Sequence, residues 1–188
     1  MSRSATAAAT ILTVEDDPII RRDLRLILED AGYLVCPSAR DGVEAVEQAR
    51  RHRPDLIVMD IGLPRLDGIA ATEQILQERD VPVIALSGWG NVDSLDRATA
   101  AGAVRQLVKP FSEGELVHAV ADVFAERRRG ADDRHLKVMI ESMVRAGCSE
   151  REIVAAVERE NGGPAARPQG MIRRLARRSL GREGPRAL

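Results

Sequence analysis

The sequence predicts an α/β protein, with a doubly wound sheet of five parallel strands followed by a small all-helical C-terminal unit. Short apolar runs without alternation occur five times, and such runs are typical of strands buried on both faces of a parallel sheet. Segments with helical spacing of apolar residues separate these runs, which is the pattern of a right-handed βα succession. After residue 128, apolar residues recur only at helical spacing.

Turn and cap residues delimit each predicted element. Pro18 opens the first helix, because proline is favoured in a first helical turn, and Gly32 ends it. Ser112 and Glu115 form a capping box for the fifth helix. The predicted strands are 10–14, 33–36, 55–60, 83–86 and 106–108. The predicted helices between and after them are 18–31, 41–53, 69–78, 92–101 and 112–128.

Charge divides the chain into two parts. Residues 1–128 contain 15 Lys and Arg against 21 Asp and Glu, a net charge of −6, and residues 129–188 contain 13 against 8, a net charge of +5. This asymmetry indicates two units with different partners. We expect a disordered arm at 1–9, an α/β domain at 10–128, a helical output or interaction domain at 132–181 and a disordered tail at 182–188.

Several classes of protein are disfavoured. Cys36 and Cys148 lie far apart and suggest neither a disulfide framework nor a metal-binding spacing. The sequence has no run of 18 apolar residues, and its first ten residues lack the apolar core of a signal peptide. We therefore expect a cytoplasmic protein without a membrane association.

Polar residues stand where the predicted strands end, and parallel topology brings these ends to one edge of the sheet. Asp60 ends the third strand. Each residue alone is more typical of a helix cap, a turn or a solvated surface, but carboxylates, a hydroxyl and an ammonium group together suit a phosphoryl group and Mg²⁺. The other strand-end residues are Glu15, Asp16, Asp17, Ser87 and Lys109.

From about Thr10 to Arg128, the chain resembles the receiver domain of a two-component response regulator. The matching segments are 11–18, 54–60, 63–64, 67–68, 83–88 and 108–111. The resemblance implies a flavodoxin-like sheet with strand order 2-1-3-4-5. It also implies a signalling protein rather than an enzyme, which accepts a phosphoryl group from a sensor histidine kinase or a phosphotransfer protein.

The same resemblance assigns roles to individual residues. Asp60 would be the phosphoacceptor, and Glu15, Asp16, Asp60 and the backbone carbonyl of Gly62 would hold Mg²⁺ or Mn²⁺. Lys109 would pair with the phosphoryl oxygens, and Ser87, with Gly88 beside it, would act as the switch hydroxyl. Asp17 would lie behind the metal ligands, and the Lys109–Pro110 bond would be cis.

Two features depart from the family pattern. Gln106 stands where these domains usually carry the aromatic residue of the switch, so the usual route of the signal through the fourth helix and fifth strand is in question. Gly62 and Trp89 occupy the positions that tune dephosphorylation in the family. Since Gly62 has no side chain and Trp89 would shield the site, we expect a long-lived phosphoryl-aspartate.

The C-terminal part predicts three helices, of which the third, at about 168–180, is basic. Its arginines could contact DNA in a helix-turn-helix arrangement, although the eight-residue break before it is longer than usual. The alternative is a helical surface for homodimerisation or for a protein partner, with the arginines in solvent. The arginines in question are Arg173, Arg174, Arg177 and Arg178. The first hypothesis is a transcription regulator that is switched by phosphorylation, and the second is a signalling adaptor.

Overall fold

The structure is a computed structural model that describes residues 8–88 and 92–160, together with Ser179 and Gly181. The chain divides into two compact units, Met1–Phe124 and Ala125–Leu188. The strands are β1 (Thr10–Val14), β2 (Leu34–Val35), β3 (Leu56–Asp60), β4 (Val83–Ser87) and β5 (Arg105–Val108). The helices are α1 (Pro18–Asp30), α2 (Gly42–His52), α3 (Gly68–Glu78), α4 (Val92–Ala100), α5 (Glu113–Arg145) and α6 (Glu150–Glu160).

The first unit contains a five-stranded sheet in the order β2-β1-β3-β4-β5, and all the pairings in it are parallel. The predicted fold class and strand order are therefore confirmed. Each strand lies within two residues of its predicted bounds, and β2 is the most reduced, with two residues. The order places β1, β3 and β4 in the interior, which explains why their sequences are apolar throughout.

Two apolar layers cover the faces of this sheet. Leu12, Ile57 and Met59 point to the layer formed with α2 and α3, and their neighbours Ile11 and Val58 point to the layer formed with α1 and the first part of α5. Because successive side chains of a strand alternate between faces, a strand that is covered on both sides must be apolar at every position. All five residues of β3 are buried, including the terminal Asp60.

Aspartates fix the start of three helices in the first unit. The Asp17 carboxylate accepts hydrogen bonds from the backbone N–H groups of Ile19 and Ile20, at 2.7 and 3.1 Å. Asp41 caps α2 and Asp67 caps α3 in the same manner. Since an uncapped helix leaves backbone donors without partners, these caps define where each strand-to-helix loop ends.

The extent of α5 corrects the sequence prediction. We expected a helix that ends near Arg128 and a new helix after Asp132, but α5 continues from Glu113 to Arg145. Gly130 and the two aspartates after it suggested a break. A single glycine weakens a helix by only about 1 kcal/mol, however, and no proline interrupts this segment. The boundary between the compact units, after Phe124, lies within α5.

The second unit has its own small core between α6 and the last turns of α5. Leu136, Ile140 and Val144 pack with Ile153 and Val157, and all five are buried. A capping box lies at the start of α6. In it, the Glu152 carboxylate accepts hydrogen bonds at 2.7 Å from both the backbone N–H and the hydroxyl of Ser149.

Some predictions lie outside the described residues: the arm at 1–7, Trp89, the basic third helix with Arg173, Arg174, Arg177 and Arg178, and the tail. The predicted domain limits stay predictions. Among residues 8–88 and 92–160, no helix is both long enough and apolar enough to cross a membrane.

Candidate functional site

The register of the sheet brings the predicted site residues together. Val14 pairs with Met59, so Glu15 and Asp60 follow side by side. Ser87 pairs with Val108, so Lys109 comes one residue beyond β5. The Lys109 backbone N–H then donates to the Ser87 carbonyl at 2.7 Å. The carboxyl ends of four strands therefore form one edge, as the order of the elements predicted.

Three carboxylates cluster at this edge. Glu15, Asp16 and Asp60 each offer an oxygen atom within 4.8 Å of the other two. Glu15 and Asp60 are buried, whereas Asp16 is exposed. Like charges at such distances repel strongly in a buried site, and hard oxygen donors with an open, exposed side are what Mg²⁺ prefers. The donor set therefore fits the divalent cation that the sequence predicted.

Lys109 connects two of these carboxylates. Its Nζ atom donates to Glu15 Oε2 at 2.6 Å and to Asp60 Oδ2 at 2.8 Å. Burial raises the pKa of Glu15, and the nearby Asp60 raises it further, although the hydrogen bond from Lys109 opposes both. Burial alone would lower the pKa of Lys109, but the hydrogen bonds to Asp60 and Glu15 outweigh it and raise that pKa. The ammonium group is thus held in its charged form beside Asp60.

Backbone groups of the loop after β3 fix the Asp60 carboxylate from another side. The Gly62 N–H donates to Asp60 Oδ1 at 3.1 Å. Gly68, the first residue of α3, lies directly against the backbone of Asp60, because a Cβ atom there would come within 1.9 Å of the Asp60 carbonyl oxygen. Only glycine allows this approach. Gly68 belongs to one of the segments that match the family pattern, but nothing in the sequence indicates this contact.

Arg21 is a second residue that the sequence analysis missed. Its Nη1 atom donates to the carbonyl oxygens of Glu15 and Asp16, at 2.6 and 2.9 Å. The guanidinium group therefore holds the backbone of the loop that carries two of the three clustered acids. The helical spacing after Pro18 places Arg21 one turn into α1, but nothing in the sequence shows that its side chain folds back over the loop before the helix.

Asp17 caps α1 and lies outside the cluster of carboxylates.

The β4 side of the site is less completely partnered. The Ser87 hydroxyl is buried and has no hydrogen-bond partner in the described part of the chain. Ser87 lines a cleft of about 460 Å³ together with Asp60, Gly88, Lys109 and, from α4, Arg97. Sequence analysis identified all of these except Arg97, which α4 brings to the cleft.

Gln106 lies on β5 and contacts α4. Its Nε2 atom donates to the Thr99 hydroxyl at 2.5 Å. The residue in the usual aromatic position therefore forms a polar link between the fifth strand and the fourth helix. The Lys109–Pro110 peptide bond is cis, as the resemblance implied.

The sequence profile described as response regulator receiver domain matches residues 11–121 of this chain. The chain belongs to that family. It contains a receiver domain of a response regulator of a two-component system, and such domains bind Mg²⁺ through an acidic pocket and interact with histidine kinases or phosphotransfer proteins.

Individual receiver-domain proteins support the assignment. The chain is 42% identical over 116 residues to the transcriptional regulatory protein PdtaR of Mycobacterium tuberculosis, and this match covers 62% of the chain and 57% of PdtaR. The chemotaxis protein CheY of Halobacterium salinarum is 36% identical, with 62% of this chain and 97% of that protein covered. The chain thus spans little more than half the length of PdtaR, but nearly all of CheY.

A solved structure resembles the first unit and carries a metal. The receiver domain of the sensor histidine kinase PA1611 of Pseudomonas aeruginosa was crystallised with magnesium in its active-site cleft. It superimposes with a TM-score of 0.55 and is 36% identical, with 60% of this chain and 94% of that chain covered. The receiver-domain fold of this chain is therefore shared with a protein that binds magnesium.

Proposed function

We propose that this protein is a phosphorelay response regulator that accepts a phosphoryl group on Asp60 and thereby switches the output of its C-terminal helical unit. The observation that carries the proposal is the convergence on Asp60. This buried carboxylate is held by Lys109 Nζ at 2.8 Å and by the Gly62 N–H at 3.1 Å, beside Glu15 and Asp16. An isolated buried carboxylate would not need this environment, whereas a phosphoryl acceptor does.

The transfer needs few groups from the protein. A carboxylate oxygen of Asp60 forms the new bond to phosphorus, while the bond between phosphorus and the histidine nitrogen of the donor breaks. The nitrogen keeps the electron pair and takes up a proton. Glu15, Asp16, Asp60 and the Gly62 carbonyl would hold Mg²⁺ or Mn²⁺, which supplies positive charge to the phosphoryl oxygens when it is bound.

Lys109 and Ser87 would respond to the new group. Phosphorylation replaces one carboxylate charge with nearly two phosphoryl charges and several acceptor oxygens. Lys109 already lies at the acceptor, and the Ser87 hydroxyl, which has no partner in the part of the chain that the structure describes, can donate to a phosphoryl oxygen. To shift a conformational equilibrium from 1:99 to 99:1 requires about 5.5 kcal/mol, which a few charge-assisted hydrogen bonds can supply.

Phosphorylation of the full chain tests this proposal. Incubation with phosphoramidate and Mg²⁺ should add one phosphoryl group by intact mass, and the group should be lost in hydroxylamine because it is an acyl phosphate. Asp60→Asn should abolish the addition. Asp23→Asn, which removes an exposed aspartate from α1, should leave it unchanged. Equal phosphorylation of wild type and Asp60→Asn would refute the assignment of Asp60.

For the output, the proposed function is regulation of transcription through DNA binding. Residues 129–188 carry a net charge of +5, and PdtaR is named as a transcriptional regulatory protein. Arginines that neutralise DNA phosphates release counterions, so such binding weakens steeply with salt. The alternative is an adaptor that binds a protein partner or dimerises, for which the apolar core between α5 and α6 provides a folded scaffold.

A comparison of the phosphorylated and unphosphorylated full chain distinguishes these outputs. DNA binding should be stronger for the phosphorylated chain, and the logarithm of its affinity should fall linearly with the logarithm of salt concentration. Simultaneous replacement of Arg173, Arg174, Arg177 and Arg178 by Gln should reduce that slope. If phosphorylation instead changes only the molecular mass in light scattering, the adaptor alternative gains support and the DNA proposal fails.

A further inference from the structure

Arg97 is a basic residue of the phosphoryl cleft that neither the family pattern nor the strand-end rule identifies. It lies on α4 and lines the same cleft as Asp60, Ser87 and Lys109. Among the residues that the structure describes, its side chain has no hydrogen-bond or ion-pair partner. Lys109, by contrast, is already shared between Glu15 and Asp60.

The charge balance of the cleft changes when Asp60 is phosphorylated. The phosphoryl group adds about one further negative charge and several acceptor oxygens. Lys109, which is already shared between Glu15 and Asp60, and the Mg²⁺ that Glu15, Asp16 and Asp60 would hold supply positive charge from the β1 and β3 side. A cationic donor from α4 can meet the phosphoryl oxygens that remain. The planar guanidinium of arginine can donate two parallel hydrogen bonds to a phosphoryl group.

We propose that Arg97 binds the phosphoryl group on Asp60 and so makes α4 respond directly to phosphorylation. This inference rests on the proposed function of Asp60. It gives a route for the signal in a chain that has Gln106 in place of the usual switch aromatic. Thr99 lies two residues after Arg97 and accepts the hydrogen bond from Gln106, so a movement of α4 toward the phosphoryl group would act on this link to β5.

The environment of α4 is consistent with a helix that can respond. Between Arg97 and Thr99, Ala98 is buried in an aliphatic cluster with Ile61, Ile69 and Ala85. Because a side chain as small as alanine does not interlock deeply with its neighbours, this described contact opposes a small shift of α4 only weakly. Ser87, whose buried hydroxyl has no hydrogen-bond partner among the described residues, lines the same cleft and offers a second donor.

Hydrogen exchange of the full chain, with and without phosphoramidate and Mg²⁺, tests the inference. Phosphoryl content is measured on the same samples by intact mass. In the wild type, amide exchange in 92–100 should slow by about tenfold on phosphorylation, as one charge-assisted hydrogen bond implies. Arg97→Gln should take up the phosphoryl group but lose most of this slowing. Arg97→Lys, which keeps the charge without the planar fork, should retain part of it.

Arg22→Gln, at an exposed position of α1, controls for the loss of one positive charge and should behave as the wild type. If Arg97→Gln shows the full slowing at equal phosphoryl content, the role of Arg97 is refuted while the proposed function stands. If the wild type takes up no phosphoryl group, the proposed function and this inference both fail.

Discussion

The two halves of the site edge differ in how far their polar groups are satisfied. On the β1 and β3 side, Glu15 and Asp60 share Lys109, and the Gly62 N–H holds Asp60. On the β4 and α4 side, the buried Ser87 hydroxyl and the Arg97 guanidinium have no partner in the described residues. A buried polar group without a partner destabilises a fold, and of these two only the Ser87 hydroxyl is buried, since Arg97 is exposed. The polar groups of the β1 and β3 side are therefore satisfied within the protein, whereas the β4 and α4 side retains donors that the proposed phosphoryl group would use.

Among the changes predicted, loss of Lys109 should have the largest effect on stability, because Lys109 contacts both carboxylates on the β1 and β3 side of the site. Lys109→Met leaves two neighbouring carboxylates, one of them fully buried, without their cation. We expect the free energy of unfolding to fall by about 2 kcal/mol without divalent metal, because an uncompensated buried charge remains. Urea titrations followed by circular dichroism in EDTA would measure it, and Mg²⁺ should restore part of the loss.

Lys137→Met is the matched control for that experiment. Lys137 is exposed and lies 4.0 Å from Glu141, so its loss should change stability by less than about 0.5 kcal/mol. If the two variants lose equal stability, Lys109 does not compensate buried charge in the way that its contacts indicate.

The pH dependence of stability provides a second test of the β1 and β3 side of the site, through Glu15. Burial raises the folded-state pKa of Glu15. The stabilisation that the Glu15 carboxyl gives to the folded state is therefore fully present below its ordinary pKa of 4.5, and it is lost as pH rises through the folded-state pKa. Without Mg²⁺, Glu15→Gln should therefore gain stability relative to wild type as pH rises from about 4.5 to 7. Glu47→Gln, exposed on α2, should show no such relative gain.

Mg²⁺ provides the second readout for Glu15. Added Mg²⁺ should raise the thermal midpoint of the wild type and of Glu47→Gln, because a ligand that binds only the folded state stabilises it. The midpoint of Glu15→Gln should rise much less. A full Mg²⁺ response in that variant would exclude Glu15 from the ligand set.

Ser87→Ala should show how the β4 and α4 side of the site differs from the β1 and β3 side. Since the Ser87 hydroxyl is buried and has no partner among residues 8–88 and 92–160, its removal should change the stability of the unphosphorylated protein by less than about 1 kcal/mol, or increase it. Ser112→Ala, in contrast, removes a helix cap and should destabilise by about 1 kcal/mol. After phosphorylation, Ser87→Ala should lose stabilisation that Ser87→Thr retains. An unphosphorylated Ser87→Ala that is clearly less stable than Ser112→Ala would contradict the assignment of the β4 side as unsatisfied.

The smallest predicted effect concerns Arg21, which organises the acidic loop through backbone carbonyls. Arg21→Met should weaken Mg²⁺ affinity by about tenfold or less, because it loosens two ligands without removing either. Isothermal titration with Mg²⁺ measures the affinity. Arg22→Met, one residue on and exposed, should bind Mg²⁺ as the wild type does, and an equal loss in both variants would point to net charge alone.

Much of the acceptor site could be predicted because it depends on the order of the strands. Asp60, Glu15 and Lys109 each follow a buried strand, and parallel register brings such positions together whatever the helices do. Arg97 and Arg21 could not be predicted in this way. Their positions depend on the rotation of α4 and on a side chain of α1 that folds back over its own loop, and helical periodicity specifies neither.

The sequence alone determined the fold class, the strand order through its resemblance, and the residues that meet at the carboxyl edge of the sheet. These follow from apolar runs, turn residues and the chirality of βα units, all of which are local. Only the tertiary structure decided that Glu15 and Asp60 share one ammonium group, that the Ser87 hydroxyl has no partner among the described residues and that α5 runs through Gly130. These features depend on distances between elements and on competition between packing and local propensity, which arise only when the chain is folded.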